Sequence, residues 1–446
     1  MKKGIIILLV VLYSIIPATQ AKNRSYASNP AKNVNYSTAY SLPNGIGMNA
    51  KRLGSIDSIV KEGIKLKVFP GCQIFVMKNG KPVYDKCFGN YTYETSQNVK
   101  PTTMYDLASL SKTTGTLLAI MKLYDDGKLK LTDRASRYIP ILQGSDKEDI
   151  TIKELLFHES GLPASLLCYE LAFASAKDTT HSIRIGNALY KKEWVSKEPS
   201  AKYSLQVADS FYLDKRFHDE AMQKLIHLRL RSKTYLYSCI NFILLKEIVE
   251  NINGMPMDIF LDKTFYAPMK LKNITYLPLQ THKKEDIAPT LKKDFLRNGV
   301  LQGYVHDPDA AFFGGVSGNA GLFASARDVA TVYQMLLNKG ELNGKRYLSA
   351  ETCRIFTTTT SASGRRGLGF DKPVPIYPKN SPCCISAPYV VYGHTGYTGT
   401  CCWADPLNNL VYVFLSNRTY PNDGVNKLAK MGLRTKIQEV IYQSMK

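Results

Sequence analysis

The chain has 446 residues, 44% hydrophobic and 21% charged, with a formal charge of +21 at neutral pH. Such a length buries one large core or two lobes, and the ordinary composition excludes a fibrous or low-complexity chain. The excess of Lys and Arg raises nucleic-acid binding first, but the basic residues are spread along expected helices and loops and form no block. No nucleic-acid partner is expected; the surface suits an anionic envelope polymer or simply keeps the protein in solution.

In chain order, Lys2 and Lys3 precede an apolar run, Ile5–Ile16, that ends in Thr19-Gln20-Ala21, the pattern of a signal peptide over residues 1–21. The run is shorter than the ~20 residues a membrane helix needs, and no later stretch is long and apolar enough. We therefore expect a secreted, periplasmic protein with no membrane span after signal cleavage. Residues 22–50 are rich in Asn, Ser, Tyr and Ala without periodicity and read as a loose polar leader. Ile56–Leu66 has the spacing of a short amphipathic helix. Two strands, Gly71–Met77 and Lys81–Phe88, flank Asn79-Gly80, a hairpin turn signal.

The stretch Tyr105–Asp126 repeats Leu107, Leu110, Leu117, Leu118, Met121 and Leu123 at helical spacing and stops at Gly127. A helix starting near Asp106 or Leu107, capped by Asp106, places Ser109 in the first turn and Lys112 on the same face. Unpaired amides and the positive dipole end there favour a developing oxyanion. The lysine supplies proton transfer if burial lowers its pKa. The same S-x-x-K spacing at Ser58–Lys61 sits on the amphipathic helix and reads as surface.

Further on, Ile150–Phe157 begins a helix ending in His158-Glu159-Ser160-Gly161-Leu162. Residues 163–233 read as mostly helical and polar-faced, and Tyr235–Asn251 as an apolar helix. A glycine-rich connection, Phe312–Phe323, leads into a helix over Ala326–Leu337. Near the end come Val390–Tyr392, a turn at Gly393–Gly399, strands at Thr400–Ala404 and Leu410–Ser416, and a helix over Val425–Tyr442. Strands at both ends with helices between predict an α/β (α+β) fold, an antiparallel sheet flanked by helices with an inserted helical lobe. The nine cysteines are scattered, with no C-x-x-C and no metal-type spacing, so no disulfide is assigned and no metal site is expected. His306, Asp307 and Asp309 read as a turn and not as ligands. No phosphate loop or nucleotide fingerprint is present, so no cofactor is expected.

The order Ser109-x-x-Lys112, Tyr237-Ser238-Cys239 and His394-Thr395-Gly396, with DLASLSK, HESGL and GGVSGNAGLF around it, resembles the serine β-lactamase and penicillin-binding-protein superfamily. The match is nearest to the class C-like branch with its DD-peptidases and esterases. The resemblance covers about residues 53–446. It implies a β-lactamase/transpeptidase-like domain over 51–446, with a sheet lobe of about 51–104 and 312–446 and a helical lobe of about 105–311.

The resemblance also implies roles. Ser109 is the nucleophile, and Lys112 with Tyr237 moves its proton. The amides of Ser109 and Tyr397 form the oxyanion hole, and His394, Thr395 and Gly396 bind substrate on the strand lining the site. Cys239 stands where the family usually has Asn or Asp for the substrate amide, and a thiol is a poor hydrogen-bonding partner. His394 replaces a lysine and would be only partly charged near neutral pH; His158 would pin a loop. The expected activity is acyl-enzyme hydrolysis of a small amide, peptide or ester, with a peptidoglycan-derived peptide among the options. The alternatives are a class C-like β-lactamase and a protein that binds β-lactams or cell-wall fragments without turnover.

Overall fold

The computed structural model describes residues 37, 39–178, 180–374 and 381–445, so the expected signal segment lies outside the described residues. Five strands form the main sheet: β1 (Gly71–Lys78), β2 (Lys81–Gly89), β3 (Tyr392–Gly396), β4 (Thr400–Asp405) and β5 (Leu410–Ser416). Their order is β3-β4-β5-β1-β2, antiparallel throughout, so β1 from the beginning of the chain pairs with β5 near its end. The register sets Cys72 opposite Ser416 and Lys78 opposite Leu410.

Side chains of a strand alternate between its two faces, and here both faces are covered. Cys72, Ile74, Cys401, Trp403, Tyr412 and Phe414 pack on one side. That side is closed by helices α1 (Ile56–Lys65) and, near the C-terminus, Leu433–Ser444. Phe75, Met77, Cys402, Ala404, Val411 and Val413 join the larger core on the other side, which meets the helix Ala326–Leu337. The alternation sends Cys401 and Cys402 to opposite faces, and all nine thiols are free. Ser58 and Lys61 lie exposed on α1, as a surface S-x-x-K pair should.

Three expectations need correction. The described part of the leader is not loose. Ser37 and Ser41 N–H groups donate to Gly80 and Pro82 carbonyls, Met48 is buried, and Asn49 caps a short helix, Ala50–Gly54. Residues 163–233 hold a hairpin, Ser182–Ile185 with Ala188–Lys191, and a three-stranded sheet of Val195–Ser196, Leu205–Ala208 and Phe211–Leu213. Their one long helix is Phe217–His227. These strands are two to four residues long, too short for a period of two to stand out, yet Tyr190, Val195, Phe211 and Leu213 are fully buried. The closing helix is interrupted by Gly432 in a left-handed conformation (φ 60°), giving Lys427–Lys430 and Leu433–Ser444.

Candidate active site

The expected helix around Ser109 starts later than its pattern implies. Tyr105–Asp106 is extended and pairs with Leu322–Ala324. A 3-10 turn follows over Ala108–Leu110, then a π turn over Lys112–Thr116, and only then the α-helix Leu117–Asp125. Neighbours outside the segment claim the backbone that would have begun a helix. Leu107 N–H donates to Leu322 O at 3.0 Å. The Thr398 and Thr400 hydroxyls donate to the carbonyls of Asp106 and Leu107 at 2.7 and 2.8 Å. Asp106 does accept from Ala108 N–H (2.8 Å), but its other oxygen accepts from His306 N–H (2.6 Å), so it ties two segments together. Ala108 has φ +47°, a left-handed conformation that costs a residue with a Cβ about 1–2 kcal/mol. These contacts hold Ser109 at the mouth of a cleft.

Lys112 is wholly buried and fully partnered. Its Nζ lies 3.0 Å from Ser109 Oγ, 2.8 Å from the Asn319 carbonyl and 3.5 Å from Cys239 Sγ. The ammonium also stands 5.2 Å from the centre of the Tyr237 ring and 5.7 Å from that of Phe242. The glycine-rich connection explains how the Asn319 carbonyl gets there. A Cβ on Gly318 would fall 1.8 Å from the Phe242 carbonyl oxygen, so the backbone approach requires glycine.

The expected lowering of Lys112 does not hold. Burial works against the ammonium, but negative charge on Cys239 and Tyr237 outweighs it, and the direction is up. Burial raises the Tyr237 phenol, with Lys112 charge pulling the other way. Burial raises the Cys239 thiol too, again opposed by Lys112. The three groups are thus coupled: positive charge on Lys112 and negative charge on the phenol or the thiol each favour the other.

Tyr237 precedes its helix, which runs Cys239–Asn253 and not from Tyr235. His158 holds it in place. This residue ends the helix Ile152–Phe157 with φ +57° and accepts at Nδ1 from Ser238 N–H and Asn241 Nδ2, both 3.1 Å away. Its ring lies 4.6 Å from that of Tyr237, centre to centre. Asn241 also pairs with Ser160 Oγ at 2.6 Å, so its amide is spent on structure.

The opposite wall is the edge strand β3. His394, Thr395, Gly396 and Tyr397 line the cleft with Ser109 and Tyr237, in a hollow of about 420 Å3. A Cβ on Gly396 would meet the Leu107 carbonyl oxygen at 2.3 Å, so this strand and the turn that carries Ser109 are in direct contact. Tyr397 follows the last paired residue of the strand. His394 departs from the expected partial charge: burial, then Arg366, holds its imidazolium down at about 3. The neutral ring donates from Nδ1 to the Thr395 carbonyl at 2.6 Å, which leaves Nε2 a buried acceptor with no hydrogen-bond partner.

The positive charge of the site comes from residues that motif reading passed over. Arg365, Arg366, Arg418 and Arg434 line the same cleft, with Asp371 the only carboxylate in its lining among the described residues. Asp371 pairs with Arg365 and, at 3.2 Å, with Arg366. The doublet Arg365-Arg366 sits between two glycines, but nothing in the sequence says which of many arginines folds inward. His306, Asp307 and Asp309, read as a turn, lead instead into the short helix Pro308–Phe312 and have structural partners. Beyond its backbone bond to Asp106, His306 pairs with Asp423 at 2.8 Å; Asp307 caps a short helix, and Asp309 accepts from the N–H groups of residues 166–168.

The sequence profile of the family described as Beta-lactamase matches residues 56–433. The "Putative D-alanyl-D-alanine carboxypeptidase" of Escherichia coli (strain K12) is 30% identical over 407 residues, 85% of each chain. The "N-acetylmuramyl-L-alanine amidase" of Bacillus subtilis (strain 168) is 30% identical over 405 residues, covering 83% of this chain and 82% of the relative. Among solved structures, EstCE1, a hydrolase with promiscuous acyltransferase activity, superposes with a TM-score of 0.62 at 19% identity, covering 88% of this chain and 99% of the other. At that identity the likeness concerns the fold.

Proposed function

The chain belongs to the beta-lactamase family and is a serine hydrolase of the amidase and carboxypeptidase type, and on that premise we propose that it hydrolyses an amide of a cell-wall-derived peptide through an acyl-enzyme. The observation that carries this reading is the convergence of Ser109 Oγ, Lys112 Nζ at 3.0 Å and the Tyr237 ring in one cleft. Lys112 spends its donors on Ser109, Asn319 and Cys239, so the charged lysine orients the hydroxyl and stabilises a phenolate. Tyr237, once deprotonated, takes the Ser109 proton as Oγ bonds to the substrate carbonyl carbon. The N–H groups of Ser109 and Tyr397 hold the oxyanion. Its collapse breaks the bond to the leaving amine, which takes the proton from Tyr237. Water then attacks the acyl ester and gives a proton to the phenolate; as the second tetrahedral intermediate collapses, Ser109 Oγ leaves and takes that proton back, which frees the acid and restores the phenolate.

Thr395 and Gly396 bind the substrate backbone or carboxylate along the strand edge, and Cys239 takes the place of an amide-binding residue. The relatives named for D-alanyl-D-alanine and N-acetylmuramyl-L-alanine support the choice of cell-wall amides. Export to the periplasm fits the basic and apolar N-terminal pattern, and N-terminal sequencing of the mature protein tests it. The activity test sets a muramyl peptide, a D-alanyl-D-alanine peptide, a chromogenic ester and a chromogenic cephalosporin against wild type and Ser109→Ala. Peptide turnover lost in the variant supports the reading. Turnover of the cephalosporin alone makes the protein a β-lactamase, and labelling of Ser109 without turnover makes it a binding protein.

A further inference from the structure

We propose that Arg418 and Arg434 form a receptor for a second carboxylate of the substrate, so that the favoured substrate is an acidic peptide carrying two carboxylates. The inference rests on the hydrolase reading and adds its substrate class. Arg365 and Arg366 share Asp371, but neither Arg418 nor Arg434 has an ion pair with a carboxylate among the described residues. Both are held in place by neutral groups. Arg418 Nε donates to the Tyr397 carbonyl at 2.7 Å, and its guanidinium stacks 4.3 Å from the centre of the Tyr397 ring. Arg434 Nη1 donates to the Thr400 carbonyl at 2.8 Å and to that of Gly396 at 3.4 Å. The carbonyls fix the guanidinium groups without neutralising them.

Two guanidinium N–H donors of residues in the cleft lining are buried without a partner. Arg418 is 8% exposed and its Nη2 has no hydrogen-bond partner; Arg366 is 1% exposed and its Nε has none. A carboxylate is the group that pairs with a guanidinium two bonds at a time. With His394 neutral, these arginines supply the positive charge facing Thr395 and Tyr397. Arg434 and Thr395 also line an adjoining hollow of about 450 Å3, which gives an anion at Arg434 room beside the strand edge.

Calorimetry on the full-length Ser109→Ala protein tests the proposal with two isosteres, acetyl-D-alanyl-D-glutamate and acetyl-D-alanyl-D-glutamine, which differ by one carboxylate. The dicarboxylate is expected to bind about tenfold or more tightly, the worth of one charge-assisted hydrogen bond, and the advantage should shrink as salt rises. In the Arg418→Gln/Arg434→Gln background it should fall to about twofold or less. Equal affinities, no measurable dicarboxylate binding, or an advantage that survives both substitutions overturns it. If the double variant does not fold, the comparison of isosteres at low and high salt decides alone. Ester turnover by wild type, lost in Ser109→Ala, tests the hydrolase reading separately, since binding needs no intact nucleophile.

Discussion

The two walls of the cleft handle charge in opposite ways. On the helical side, Lys112 is buried with each donor matched to an acceptor, at distances of 2.8 to 3.5 Å. On the strand side, four arginines face one carboxylate, and two of them, Arg418 and Arg434, have no ion pair among the described residues. A lysine with every donor matched fixes geometry and leaves little room for a foreign charge; guanidinium groups without a counter-ion wait for one. In the proposed function the chemistry belongs to the first and recognition to the second.

Removing the cation of the helical wall is the hardest blow to this contrast. Lys112→Ala should lower kcat for a chromogenic ester by about 10^3-fold or more, and Lys112→Arg should not restore it, because a guanidinium cannot fit three fixed acceptors around one atom; near-normal turnover in either variant would remove lysine from the chemistry. Next comes packing. Gly318→Ala forces a Cβ to within 1.8 Å of the Phe242 carbonyl, and thermal melting should show a loss of about 3 kcal/mol; an unchanged melt would mean the Asn319 carbonyl is held by other means.

Acid should strike the buried histidines of both walls. Burial holds His158 well below its ordinary value and His394 at about 3. The folded values lie beneath the unfolded one, so this stabilisation is complete above about pH 6.5 and is lost as the pH falls toward 3, by up to ~1.4 kcal/mol per pH unit for each ring. Urea midpoints taken from pH 7 down to 4 should decline accordingly; flat midpoints contradict the assignment. Alkali acts on the chemistry alone. Because Tyr237 is raised and its phenolate is the proposed base, kcat/KM for a neutral ester should climb by about tenfold per pH unit from neutrality upward, and a plateau at pH 7 would move the base elsewhere. The smallest effect concerns Cys239. Cys239→Asn should raise amide turnover relative to ester turnover by about tenfold or less, and an unaltered ratio would show that the thiol does not stand in an amide pocket.

Much of the first wall was legible in the sequence, because Ser109 and Lys112 are three residues apart and Tyr237 sits in its own motif. The strands β1, β4 and β5 were legible too, since continuous apolar runs bounded by turn residues mark a sheet buried on both faces, and β2 followed from the Asn79-Gly80 turn. The start of the nucleophile helix was not. The bonds from Thr398, Thr400 and Leu322 that override it come from residues more than 200 positions away. The second wall stayed hidden for the same reason. Arg418 and Arg434 carry no motif, and only the closing of the sheet brings them beside Tyr397.

That closing has a cost in time. β1 finds its partner β5 only across the span from Cys72 to Ser416, so a ribosome must release nearly the whole chain before the hairpin of β1 and β2 loses its exposed edge. Until then, an apolar strand flank waits without a mate, the condition under which nascent chains associate wrongly. Efficient production should therefore depend on holding the first third of the polypeptide unfolded until the last strand is made, and shortening the C-terminus should harm yield more than any substitution inside the cleft.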